Sequence, residues 1–156
     1  MKIEPASIGD AQRISEMIQS LSPPFFLSPG GAGAESFLAS ISQAAIERYI
    51  SADNFSYFVA EADGELVGVV AMRDQGHLYH LFVAQRFQGQ GFARELWRFI
   101  KVHAIQRGHF GKFTVNSSLN AIPVYEAFGF NATGPKVEMN GVAFQPMQLL
   151  DKALQN

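Results

Sequence analysis

Residues Leu78 to Leu96 constrain the fold of this chain more than any other stretch. They open as an apolar run, Leu78-Tyr79-His80-Leu81-Phe82-Val83, which reads as a buried strand. The chain then passes through Gln88-Gly89-Gln90-Gly91, where small residues let backbone come close to a ligand. From Phe92 onward the apolar positions fall at helical spacing. Phe92, Leu96, Phe99, Ile100 and His103 share one side, and Arg94, Glu95, Arg98 and Lys101 the other. Strand, glycine turn and helix in this order aim free backbone N–H groups and the positive end of the helix dipole at one point, so a phosphate or pyrophosphate is the expected guest. Two familiar phosphate loops are excluded. The dinucleotide fingerprint needs a third glycine where Arg94 stands, and no Gly-Lys-Ser/Thr triplet occurs.

Composition sets the outer bounds. A length of 156 residues fits one domain, 1–156, with room for a real core. Hydrophobic residues make up 47% and mean hydropathy is +0.04, which fits a globular chain with no membrane partner. No apolar run approaches the ~20 residues that span a bilayer. Met1-Lys2-Ile3-Glu4-Pro5 lacks the apolar core of a signal peptide, so a cytoplasmic location is expected. The net charge of −2, without a Lys/Arg cluster, argues against nucleic acid as a partner. There is no cysteine, which removes disulfides, thiolate metal sites and a cysteine acyl-enzyme together. The four histidines show no ligand pairing, and no metal is expected.

In chain order, Met1 to Ala6 reads as a strand, and Ser7-Ile8-Gly9-Asp10 has the spacing of a capping box. Ala11, Ile14, Met17, Ile18 and Leu21 then form a helical face. Ser22 to Ala34, rich in proline and glycine yet apolar at Phe25, Phe26 and Leu27, is expected to be irregular, either a binding segment or disordered. A second helix is expected from Glu35 to Ile50. Phe55 to Ala60 and Leu66 to Met72 read as a hairpin turning at Asp63-Gly64. Lys112 to Asn116 is a further strand, and a short helix through Tyr125 ends at Gly129. Two last strands, Thr133 to Met139 and Val142 to Leu149, meet at Asn140-Gly141, with Pro146 expected at an edge or bulge.

The segment Gln88-Gly89-Gln90-Gly91-Phe92-Ala93, preceded by Leu81-Phe82-Val83, resembles the acyl-CoA-binding motif of the GCN5-related N-acetyltransferases. A second family motif is matched by Val115-Asn116-Ser117-Ser118 followed by Pro123-Val124-Tyr125-Glu126-Ala127-Phe128-Gly129-Phe130. The resemblance covers nearly the whole chain. It implies the acyl-CoA N-acyltransferase fold, an α/β (α+β in some schemes) arrangement with a mixed, mostly antiparallel seven-stranded sheet flanked by helices. It also implies direct transfer of the acetyl group of acetyl-CoA to an amine acceptor. By the same resemblance, Phe82 and Val83 would hold the pantetheine arm through their backbone, and a main-chain donor near Leu81 or Phe82 would polarise the thioester carbonyl. The N–H groups of Gln88, Gly89, Gln90, Gly91, Phe92, Ala93 and Arg94 would hold the pyrophosphate. Ser118 stands where the family often has Asn, so either flanking residue, Asn116 or Asn120, is a candidate for the contact to the CoA arm. Tyr125 occupies the family's position for the acid that serves the leaving thiolate, and homodimers are common in the family.

For the base, His77 at the start of the central strand is preferred over His80, with ordered water as a further option. Two other readings use the same residues differently. A CoA-binding sensor without catalysis would keep the Gln88 to Ala93 loop and not need Tyr125. A protein-interaction domain would use Phe25, Phe26 and Leu27 for docking.

Overall fold

The computed structural model describes residues 1–109 and 111–151. Five helices, α1 (Ala11–Ser20), α2 (Glu35–Ser40), α3 (Gln43–Ser51), α4 (Phe92–Gln106) and α5 (Ile122–Ala127), flank one curved sheet. Its strands are β1 (Lys2–Pro5), β2 (Phe55–Ala62), β3 (Glu65–Arg73), β4 (His77–Val83), β5 (Lys112–Ser117), β6 (Asn131–Ala132), β7 (Val137–Met139) and β8 (Val142–Leu150). They run in the order β1-β2-β3-β4-β5-β8-β6, with β7 also on β8, and all pairs are antiparallel except β4–β5. This is the mixed, mostly antiparallel sheet expected from the sequence.

Strand alternation builds a core on each face. On one side Phe58, Val70 and Leu78 pack with Leu96, Trp97 and Ile100 of α4. On the other, Tyr57, Val59, Val69 and Ala71 pack with Ile14 and Ile18 of α1 and with Ile41 and Ile46. The long helix therefore turns Trp97 inward as well as the expected Leu96 and Ile100. The indole packs edge-on against Phe113 and Phe130, with centroids 5.2 Å away in each case.

Three expectations are refined. The helix read from Glu35 to Ile50 is two helices, because Ser42 is extended (ψ 160°) and its hydroxyl accepts from Ala45 N–H at 3.2 Å, starting α3 afresh. Of the strand read from Thr133 to Met139 only Val137–Met139 (β7) is strand, and Asn131–Ala132 (β6) pairs with β8 just before it, so eight strands replace seven among the described residues. Pro146 lies inside β8 instead of at an edge, opposite the break between β6 and β7. Its carbonyl accepts from Thr133 N–H at 3.1 Å, so its missing N–H faces the interrupted side, where the Gln145 amide fills in by donating to Gly134 C=O at 2.9 Å.

Ser22 to Ala34 is a strap of two 3₁₀ turns, Pro23–Phe25 and Pro29–Gly31, fastened to the β7–β8 turn. Leu27 N–H donates to Gly141 C=O at 2.9 Å, and Phe26 bridges to Val142. Gly141 has φ 77°, and a Cβ there would lie 2.4 Å from Gly33 C, so no larger residue lets strap and hairpin meet.

Candidate active site

The site begins where β4 and β5 part. They pair only at His77↔Thr114 and Leu78↔Val115. Directly afterwards the β3–β4 register shifts: Leu78 faces Met72 and His80 faces Ala71, so Tyr79 is the extra residue of a bulge. A bulge bends and twists its strand, which carries the end of β4 away from β5. Beyond it, Ala84 N–H donates to Val67 C=O at 2.8 Å. Counting back along the antiparallel ladder, Phe82 directs its backbone at β3, while Leu81 and Val83 direct theirs into the gap. Val83 C=O accepts from the Gln88 amide at 2.9 Å, which ties the glycine loop to the strand and leaves Val83 N–H facing the gap. Of the two backbone positions first expected to meet the pantetheine arm, the gap therefore takes Val83, with Leu81 in place of Phe82.

The gap opens into a cavity of about 590 Å³. Its walls bring together Leu81, Phe82, Val83, Gln88, Gly89, Gly91, Phe92, Ala93, Asn116, Asn120 and Tyr125. Two of the residues expected to bind the cofactor lie off these walls. The Gln90 amide donates to Arg86 C=O at 3.4 Å, and the Arg94 guanidinium sits 5.4 Å over the Phe128 ring.

One end of the cavity is the N-terminus of α4. Gly91 caps it in the left-handed region at φ 85°, and Gly89 is also left-handed at φ 77°. The first helical bond runs from Glu95 N–H to Gly91 C=O at 3.2 Å, so the N–H groups of Phe92, Ala93 and Arg94 lie ahead of it without helical acceptors. A Cβ at Gly89 or Gly91 would meet nothing within 4 Å, so both glycines border open space. No carboxylate occurs between Gln85 and Arg94. Free N–H donors and the helix dipole, with Glu95 the one carboxylate of the first turn, fit the pyrophosphate of a CoA-type ligand.

Tyr125 lines the same cavity from α5, which Pro123 starts in its first turn. Its ring is buried edge-on against Phe128 and Phe130, at 5.9 and 5.7 Å. Its hydroxyl has no hydrogen-bond partner among the described residues and is not sealed from solvent, so it opens toward the cavity. Burial raises its pKa, which keeps the phenol protonated at neutral pH. Nearby, Ser118 Oγ donates to Asn120 Oδ1 at 2.7 Å. The Ser118 hydroxyl is thereby committed, and the Asn120 amide nitrogen remains the available donor of the pair.

His77 faces a second, smaller cavity of about 210 Å³ that shares Phe25, Leu78, Tyr79, Phe82 and Asn116 with the first. Its Nδ1 is 2.8 Å from Thr114 Oγ1. Burial, assisted by the charge of Arg73, lowers its pKa from the ordinary 6.5, so the imidazole is neutral and able to accept a proton at pH 7. A base of this kind gives an acidic limb in the rate profile with its midpoint below 6.5. The expected result is that His77→Gln removes this limb, measured as kcat/KM between pH 5 and 8.

His80 has a different environment. It is buried on the wall of the smaller cavity, and its Nδ1 lies 2.8 Å from the Tyr57 hydroxyl. Burial pushes its pKa down to about 3, so a role as the base is disfavoured. The consequence is a stability effect. Between the ordinary 6.5 and about 3 the unfolded chain binds the proton that folded His80 refuses, so stability is full above pH 6.5 and falls as pH drops through that window. Going from pH 6.5 to pH 5 should cost roughly 2 kcal/mol through this group. His80→Gln, which keeps a hydrogen-bonding group for Tyr57, should show a correspondingly shallower loss in urea denaturation at the two pH values.

His103 packs on Phe58 and Phe99, and His109 bonds to Lys112 C=O, so neither joins the site. No group of residues able to hold a metal ion occurs among the described residues. No helix among them is long and apolar enough to cross a membrane.

Comparison with known proteins bears on the family and the fold. The family profile described as acetyltransferase (GNAT) domain matches residues 27–150. The chain is similar to N-acetyltransferase family 8 member 2 of Rattus norvegicus, at 34% identity over 90 residues; the match covers 51% of this chain and 40% of that protein. The chain thus spans less than half the length of that relative. In three dimensions it superimposes on a GCN5-related N-acetyltransferase from Rhodopseudomonas palustris with a TM-score of 0.77 at 21% identity, covering 94% of this chain and 93% of that one. A spermidine N-acetyltransferase from Vibrio cholerae, in complex with CoA and spermine, gives a TM-score of 0.70 at 20% identity and covers 99% and 98%. By the profile match, which spans most of its length, this chain belongs to the GCN5-related N-acetyltransferase family.

Proposed function

We propose that the chain is a single N-acetyltransferase domain that moves the acetyl group of acetyl-CoA directly to an amine. The observation that carries this reading is the placement of an acid and a base on two adjoining cavities. Tyr125 lines the cavity that also holds Leu81, Val83 and the α4 N-terminus, and His77 lines the neighbouring one. When bound, acetyl-CoA supplies a thioester whose acetyl group can pass to a nucleophile.

The chain's own residues would do the rest. The N–H groups from Gly89 to Arg94 hold the pyrophosphate, while the expected Gln88 N–H is engaged by Gln85 C=O at 3.2 Å, and the Asn120 amide, together with Asn116, steadies the arm. Val83 N–H binds the arm as a strand partner would, and Leu81 N–H points to where carbonyl charge develops. With Nδ1–H donating to Thr114 Oγ1, His77 presents Nε2 as the acceptor and takes the proton from the ammonium there. Tyr125 gives its hydroxyl proton to the departing sulfur. With no cysteine in the chain, direct transfer needs no acyl-enzyme. A cytoplasmic location and a homodimer extend the proposal on the family resemblance, and sizing chromatography tests the second.

The test is amine-dependent release of free thiol from acetyl-CoA, which a thiol reagent reads without background because the protein has no thiol of its own. Release that requires both amine and protein is the expected result. A protein that binds acetyl-CoA and releases no thiol with any amine would instead be a sensor.

A further inference from the structure

The smaller cavity, which the two sequence motifs reach only through Phe82 and Asn116, is walled mainly by rings. Phe25, Phe37, Tyr79, Phe82 and Phe144 line it beside His77. No aspartate or glutamate lines it, and none lines the larger cavity it adjoins. A neighbouring cation reinforces this polarity: the Arg73 guanidinium lies 5.2 Å over the Tyr79 ring. A second ammonium on an acceptor would therefore leave water for a site with no counter-charge, which is strongly unfavourable. A dry apolar cavity of about 150 Å³ holds benzene, so about 210 Å³ holds one ring with a short tail. Phe25 is held in place, 5.2 Å from Phe37, by the strap that Leu27 and Phe26 fasten to the β7–β8 turn.

We propose that this cavity is the acceptor site and that it selects small primary amines bearing one aromatic group and no second charge. This rests on the acetyl-transfer reading above. The ring of the acceptor packs among Phe37, Phe82 and Phe144, and its amine points toward His77 and the gap between β4 and β5.

The test compares 2-phenylethylamine with spermidine at saturating acetyl-CoA by thiol release. The expected kcat/KM is at least tenfold higher for 2-phenylethylamine. Equal rates or the reverse order would overturn the acceptor class while leaving acetyl transfer intact. A protein that releases no thiol with either amine overturns the acceptor class as well. If acetyl-CoA also fails to raise its melting temperature, the parent reading falls with it. A second arm uses Phe144→Asp, with Phe144→Leu as control. The carboxylate should shift the preference toward spermidine at least tenfold, whereas leucine, which loses the ring but adds no charge, should keep 2-phenylethylamine the preferred acceptor. An unchanged preference in a folded Phe144→Asp protein would also overturn the assignment.

Discussion

Tyr125→Phe is expected to lower kcat by about 100- to 10,000-fold, the range for loss of a positioned proton donor, or roughly 3–5 kcal/mol of barrier. The substitution removes only the hydroxyl. The ring keeps its contacts with Phe128 and Phe130, and no buried group among the described residues loses a hydrogen bond. Stability should hold, and the dissociation constant of acetyl-CoA should stay within about threefold, as for an interaction made mainly in the transition state. Single-turnover kinetics beside calorimetric binding would separate the two quantities. Full turnover in this variant removes Tyr125 from the chemistry. Joint loss of binding and stability makes it a packing residue.

Gly91→Val carries the second large effect, on binding. Acetyl-CoA at ~100 times its dissociation constant should stabilise the protein by ~2.7 kcal/mol, and this variant should abolish the rise in melting temperature. A Cβ at Gly91 meets no protein atom within 4 Å, so the branched side chain fills open space in front of the α4 N–H groups. The left-handed φ of 85° adds strain, about 1–2 kcal/mol for a residue with a Cβ. Gly108→Val supplies the control, since Gly108 is also left-handed, at φ 95°, with nothing within 4 Å, but lies beyond the other end of α4. It should carry a similar strain and keep the acetyl-CoA response.

The parts of this site that were legible in the sequence are those written in local pattern. The strand, glycine turn and helix from Leu78 to Leu96 follow from side-chain period and from two residues able to adopt positive φ. The Asp63-Gly64 and Asn140-Gly141 turns are as expected, with φ of 52° and 78° and of 51° and 77°. Features set by pairing between distant segments were not legible. The bulge at Tyr79 exists only relative to Met72 and Ala71, so the choice between Phe82 and Leu81 as gap-facing backbone could not be made from β4 alone.

Two further examples show the same limit. The strap's order depends on Gly141, more than a hundred residues away from Leu27, and nothing within Ser22 to Ala34 signals it. Thr114 as the partner of His77 requires the β4–β5 register. His80 was readable in part. Alternation along β4 places it opposite in face to Leu81, and β2 offers Tyr57 on that face, but their 2.8 Å contact depends on the intervening β3. Trp97 and the break at Ser42 carry local signals in the sequence. The indole adjoins the predicted apolar stripe, and a serine three residues before Ala45 is a helix start inside a longer helical pattern.

The central claim is that the gap between β4 and β5, with the α4 N-terminus at its end, holds acetyl-CoA. Amide chemical-shift mapping on titration with CoA tests it most directly. The largest changes are expected at Leu81, Val83 and Gly89 to Arg94, with little change on α1 and α3 behind the sheet. Shifts that cluster on α1 and α3, or none at millimolar CoA, would contradict it.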